Sequence, residues 1–152
     1  MKKVNLEGFN MIGISVRTTN MHGQAAQDIP ALCAKFQEEH DLHGSEKKIS
    51  DEVICAYTDY EGDHNTPYTV VLGYKVNDFN EIPSAYTTLK VPGGSYENYV
   101  AKGDLIGGAI VEKWHEIWEQ SMHRNYIVDF ELYGEKAKDP RNGSCDIFIS
   151  VQ

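Results

Sequence analysis

Residues 9–17, FNMIGISVR, alternate with a period of two and put Ile12, Ile14 and Val16 on one face, as a strand does. A polar stretch then leads to Asp28, a suitable N-cap, with Pro30 in the first turn where its missing N–H is harmless. Ile29, Leu32, Cys33 and Phe36 form one stripe at helical spacing, which predicts a helix of about three turns ending near His40. VICAYTDY (53–60) and PYTVVLGYKV (67–76) are rich in β-formers and flank EGDHNT, whose turn chemistry predicts a hairpin. Beyond the polar connector NDFNEIPS (77–84), YTTLKV (86–91) and SYENYVA (95–101) flank Pro92-Gly93-Gly94 and predict a second hairpin. Asp104 can cap a helix from Leu105 to about Gln120, and IVDFELYGEK and CDIFISV close the chain as two strands around AKDPRNGS.

The order strand, helix, hairpin, connector, hairpin, helix, hairpin reads as one kind of unit used twice within a single domain, with halves at about 1–78 and 84–152. No residue-level repeat accompanies it. Runs of strands with few helices predict an α+β fold: two tandem strand-helix-strand units, two main helices and a mostly antiparallel sheet. A ligand cleft is expected where the halves meet.

Composition narrows the function classes. The balance of 14 basic against 23 acidic residues gives a formal charge of -9, which repels phosphate backbones and anionic lipid, so neither direct nucleic-acid binding nor a membrane partner is expected. Met1-Lys2-Lys3 resembles the start of a signal peptide, but Asn5, Glu7, Gly8 and Asn10 interrupt the apolar region it would need; the expected location is the cytoplasm. Cys33, Cys55 and Cys145 are odd in number and lack CxxC spacing, which reads as reduced packing thiols. His40, His43 and the Met122-His123 pair supply no coordination set, so no metal and no cofactor is expected, and no GxSxG, HExxH or Walker pattern defines an enzyme class.

Two places carry candidate chemistry. On the second helix Trp114 and Trp118 fall four residues apart along the flank of a buried arc formed by Ile106, Ala109, Ile110 and Ile117; they either cover the edge of the core or line a groove. In IVDFELYGEK, Asp129, Glu131 and Tyr133 share one face of a strand whose other face is Val128, Phe130 and Leu132. Either the carboxylates look into water, or Glu131 sits among aromatic rings where burial raises its pKa and a hydrophobic cation would pair with it.

Several stretches resemble the gyrase-inhibitor-like small-molecule-binding family, which includes effector-binding domains of AraC-type and MerR-type multidrug-responsive regulators and proteins of integron cassettes. The resemblance is carried by GISVRTTN (13–20), IPALCAKF (29–36), VPGGSYENYVAKGDL (91–105), WHEIW and DFELYGEK before CDIFISV. It implies a cleft between two tandem units, a ligand-facing Glu at Glu131 followed by Tyr133, and Trp114 and Trp118 as walls, with Tyr68, Tyr96 and Tyr99 as further candidates on nearby strands. No DNA-binding segment is recognised beside the domain, so the expectation is a stand-alone effector-binding protein for an amphipathic, cationic small molecule, tied to transcription regulation or to drug or toxin sequestration. A hydrolase using Glu131 as general base, a protein-interaction domain docking its acidic surface on a basic partner or a second copy of itself, and a haem-binding relative are the alternatives.

Overall fold

The computed structural model of the chain describes residues 2–120 and 123–152, so Met1 and Met122 named above lie outside the described residues. Its elements are β1 (Lys2–Leu6), β2 (Phe9–Thr18), α1 (Ala25–Gln37), the short α2 (His40–His43), β3 (Val53–Thr58), β4 (Tyr68–Val76), β5 (Thr87–Val91), β6 (Gly94–Gly103), α3 (Ala109–Glu119), β7 (Val128–Tyr133) and β8 (Gly143–Ser150). The strands form one eight-stranded sheet in the order β1-β6-β8-β7-β3-β4-β2-β5, with every pairing antiparallel. The fold is α+β. The order is a palindrome of units: β2-α1-β3-β4 and β6-α3-β7-β8 each place their first strand beside their last, and β3 and β7 join them at the centre.

The expected first and last hairpins are present, β3 with β4 and β7 with β8. The middle one is not: β5 pairs with β2, and β6 pairs with β1 and β8. Pro92-Gly93 is a bend in a through-going strand rather than a reversal. Leu6 faces Gly94 and Phe9 faces Val91, so the chain from β1 into β2 and the chain from β5 into β6 run antiparallel past a common corner. The corner requires glycine on both chains. A Cβ on Gly8 would lie 2.9 Å from the Gly93 nitrogen, and one on Gly93 would lie 2.8 Å from the Gly8 nitrogen. There the two ends of the sheet meet, and the sheet curls.

Both long helices begin elsewhere than the patterns predict. Ala25 N donates to Thr19 O at 2.9 Å and opens α1 before Asp28, whose carboxylate instead accepts from Gln24 Nε2 at 3.0 Å. Asp104 Oδ1 accepts from the nitrogens of Ile106 and Gly107 at 3.1 and 2.9 Å, which closes a turn, and Gly108 at φ +122° separates that turn from α3. Ile106 therefore stands exposed before the helix and does not join the buried arc, whereas Ile117 is buried.

Side chains alternate across the sheet into two apolar layers. Ile12, Ile14, Cys55, Tyr57, Val70, Leu72 and Ile147 face α1 and α3, which add Leu32, Phe36, Trp114 and Ile117. Met11, Ile54, Val71, Tyr96, Val128 and Phe130 line the opposite face, with Phe9 and Phe148 packed on them. Asp129 and Glu131 belong to the helix-facing layer: each sits opposite a residue of that layer on β3, Asp129 opposite Tyr57 and Glu131 opposite Cys55.

Candidate functional site

One transverse row of the sheet explains why a carboxylate in an apolar strand matters. Registers carry it from Tyr99 to Ile147, Glu131, Cys55, Leu72 and Ile14 across six strands. Glu131 is the charged member of an otherwise uncharged row, and it is 2 % exposed. Ionised and alone, it would be strongly disfavoured there.

The surrounding side chains supply what water does not. Tyr57 Oη and Trp114 Nε1 both donate to Glu131 Oε2, at 2.7 and 2.6 Å, and Tyr133 Oη donates to Oε1 at 2.6 Å. Burial nevertheless raises the Glu131 pKa above its ordinary value of 4.5, with the bonds from Tyr133, Tyr57 and Trp114 opposing the shift. The same environment pushes the Tyr57 and Tyr133 hydroxyls well above 10, through burial first and then the nearby acidic groups. They remain donors.

Asp129, two residues earlier on the same face, is treated differently. Its carboxylate is fully buried, yet Arg124 Nη2 lies 2.7 Å from Oδ2, with Tyr60 Oη at 2.6 Å and Ser150 N on Oδ1 at 2.9 Å. Arg124 also lies over the Tyr126 ring at 4.2 Å. Its Nε and Nη1 are buried without a hydrogen-bond partner among the described residues. Asp129 thus has a cation of its own. Glu131 makes no ion pair among the described residues.

A run of aromatic contacts connects the two carboxylates. Trp114 meets Tyr57 edge-on at 5.3 Å, Tyr57 meets Tyr68 at 5.9 Å, Tyr68 meets Tyr60 at 5.6 Å, and Tyr60 meets Tyr126 at 5.5 Å. Trp118 lies 6.3 Å from Trp114 and stacks on His64 at 5.5 Å, so the two indoles lead outward from Glu131 to the β3–β4 loop. Trp114 is buried and Trp118 half-buried.

Of the residues expected to form the site, Glu131, Trp114 and Tyr133 are in direct contact, and Trp118 and Tyr68 are one aromatic ring further out. Tyr68 donates to Asn20 Oδ1 at 2.6 Å, and burial raises its pKa to about 12. Tyr99 lies on the helix-facing layer at the end of the row and donates to Glu97 Oε2 at 3.0 Å. Tyr96 does not belong with them. Three residues from Tyr99 on the same strand, it projects from the opposite face, packs on Phe130 and donates to Pro92 O.

Sequence reasoning missed Tyr57, the second hydroxyl on Glu131, because the pairing of β3 with β7 joins residues 74 apart along the chain and has no local signal. It also missed Arg124 as the counter-ion of Asp129. The thiols separate by burial: Cys55 and Cys145 are buried, but Cys33 is exposed and is not a core member of the α1 stripe. Desolvation first and the charge of Glu131 second raise the Cys33 pKa. His43 uses both ring nitrogens in hydrogen bonds, Nδ1 with Tyr74 Oη at 2.6 Å and Nε2 with Phe36 O at 2.7 Å. Among the described residues no group of three His, Cys, Asp or Glu side chains is placed to hold a metal, and no helix is long and apolar enough to cross a membrane.

A curled antiparallel sheet of two joined units, with helices packed over one face, is here the fold of an effector-binding domain. The chain belongs to the Cass2 family, the integron-associated effector binding proteins, whose family model matches residues 4–151. It is 25 % identical over 144 residues to YobU of Bacillus subtilis (strain 168), named as a candidate transcriptional regulator, covering 92 % of this chain and 90 % of that one. The integron cassette protein VCH_CASS2 from the mobile metagenome of Vibrio cholerae is similar in structure, with a TM-score of 0.73 at 25 % identity over 99 % of this chain and 95 % of that one. SAV2435, solved with tetraphenylphosphonium bound, shares the fold with a TM-score of 0.79 at 19 % identity, over 99 % of this chain and 93 % of that one.

Proposed function

We propose that the protein binds an amphipathic, lipophilic cation in the aromatic cleft beneath α1 and α3, with Glu131 as its charge partner, in the service of transcription regulation or of sequestering a drug or toxin. The contrast on β7 carries this reading: Asp129 has Arg124 at 2.7 Å, whereas Glu131, equally buried, has three neutral donors and no cation among the described residues. A carboxylate desolvated in this way is complementary to a positive charge brought in from outside. Two unit charges about 4 Å apart attract by roughly 4 kcal/mol at an effective dielectric of about 20. Trp114, Trp118 and Tyr57 would each add about 0.5 to 2 kcal/mol of cation–π attraction.

Glu131 is closed off by its own donors, so a bulky cation must displace one of them. Trp114 is the candidate, since it reaches Glu131 from α3 while Tyr57 and Tyr133 rise from the sheet itself. Tetraphenylphosphonium, the ligand carried by SAV2435, is a suitable probe. Calorimetry with this cation and with neutral triphenylphosphine oxide should give a clear preference for the cation in the wild type. Glu131→Gln should abolish the preference, a loss of up to roughly a thousandfold for about 4 kcal/mol. The Gln oxygen can still accept from Trp114 and Tyr57, so the variant keeps its shape. Equal affinities for the cation in both proteins would sink the assignment of Glu131.

A further inference from the structure

An apolar groove opens on the face of the sheet turned away from Glu131, and a polar cavity adjoins it at the end of β2, β4 and β5, lined from both faces of the sheet. The polar cavity, of about 540 Å³, is lined by Asn10, Asn77, Lys75 and Lys90 together with the backbone of the Gly8–Gly93 corner, and no carboxylate lines it. The groove, of about 350 Å³, is walled by Leu6, Phe9, Ile54, Phe130, Leu132 and Phe148. Phe9 and Lys75 line both cavities. Lys75 Nζ sits 4.7 Å over the Phe9 ring and makes no ion pair among the described residues.

We propose that the groove and the adjoining cavity form a second ligand site, for an anionic amphiphile whose apolar chain lies in the phenylalanine groove and whose acidic head meets Lys75, with Lys90 reaching the same cavity from the other face of the sheet. Both volumes fall within the roughly 300 to 1,000 Å³ of small-molecule pockets. The orientation follows from the charges. Glu7 and Glu52, both exposed, line the apolar groove, so an anionic head is repelled from that end and drawn past Phe9 toward the two lysines. In a chain with a formal charge of -9, a cavity with two lysines and no carboxylate is a local reversal of the overall field. The apolar wall is built from the layer that α1 and α3 leave uncovered, with Ile54 and Phe130 as its floor and half-buried Phe9, Leu132 and Phe148 at its opening.

Decanoate and decyltrimethylammonium, below their micelle concentrations, share an apolar chain and differ in head charge, which separates this site from the cleft at Glu131. Calorimetry on the whole chain should give saturable one-to-one binding of decanoate that weakens with added salt. Lys75→Gln should weaken it about fivefold, as expected for one partly exposed ion pair, and Lys75→Gln with Lys90→Gln further. Glu131→Gln should leave decanoate binding unchanged while affecting decyltrimethylammonium. A second variant, Leu132→Trp, fills the groove and should abolish decanoate binding with the lysines intact. Decanoate binding that ignores both lysines, or that is absent in the wild type, overturns the proposal; loss of decanoate binding in Glu131→Gln would assign it to the helix-facing cleft and overturn it equally.

Discussion

Because its pKa is raised, Glu131 should make both stability and ligand affinity depend on pH, in opposite directions. In the folded protein the group holds its proton to a higher pH than in the unfolded chain, where it titrates near 4.5. Between 4.5 and the folded value the native state carries the extra proton, so the slope of unfolding free energy with pH is negative there. The contribution of Glu131 is complete below the unfolded pKa and is lost as pH rises through the folded one, by about 1.4 kcal/mol for each pH unit inside the window. Other carboxylates titrate in the same range, so the measurement is a difference. Urea unfolding of the wild type and Glu131→Gln at steps from about pH 4 to about pH 9 should give a wild-type stability that falls relative to the variant and then levels off. Cation binding needs the ionised form, so tetraphenylphosphonium affinity should rise through the same window by up to about tenfold per unit, with a proton released on binding. A stability difference that is flat with pH would refute the claim that burial outweighs the three hydrogen bonds.

The Asp129 pair gives a prediction of another kind. Arg124→Met leaves a carboxylate of 0 % exposure without its cation and should lower the urea-unfolding free energy by about 3 to 5 kcal/mol, most of which Asp129→Asn in the same chain restores. Recovery of nothing by the double variant would mean that Arg124 acts through its contact with Tyr126. Among the thiols, Cys33 alone should react with a disulfide reagent in the native state, faster as pH rises toward its raised pKa, while Cys55 and Cys145 wait for unfolding. Tetraphenylphosphonium paired with Glu131 should offset the negative charge that helps raise the Cys33 pKa and so speed that reaction; rapid labelling of a second thiol would contradict the packing.

Legibility in the sequence follows the range of the interaction. β2 is announced by alternation and β3 and β4 by their β-forming residues, and the EGDHNT turn between β3 and β4 fixes their local order, because these signals lie within about ten residues. The pairing of β5 and β6 was not legible. A Pro-Gly-Gly between two apolar runs looks like a reversal, and only the approach of Gly8, 85 positions away, makes it a bend. The same limit governs the site. Glu131, Tyr133, Trp114 and Trp118 were readable as candidates from parity and helical spacing. Which face the helices cover depends on β3 lying beside β7, and that decides both the burial of Glu131 and the presence of Tyr57. Tyr96 and Tyr99 show the rule from the other side: parity alone puts them on opposite faces, but parity cannot say which face holds the cleft.

The spacing of Asp129 and Glu131 ties these observations together. Positions i and i+2 on one strand share a face, so both carboxylates are driven into the same apolar layer by the same register. The protein meets the first burden with Arg124, delivered by the segment that precedes β7, and the second only with neutral hydroxyl and indole donors. A buried carboxylate held by neutral donors confers no stability advantage over an apolar residue in a row that already contains Ile147, Cys55, Leu72 and Ile14. On the function proposed above its physical use would lie in discrimination: donors that hold the charge in place without cancelling it would preserve an unbalanced field for a cation to enter. Arg124 marks the limit of that field, because any cation that moved on from Glu131 along the run of tyrosines toward Asp129 would meet a guanidinium already there.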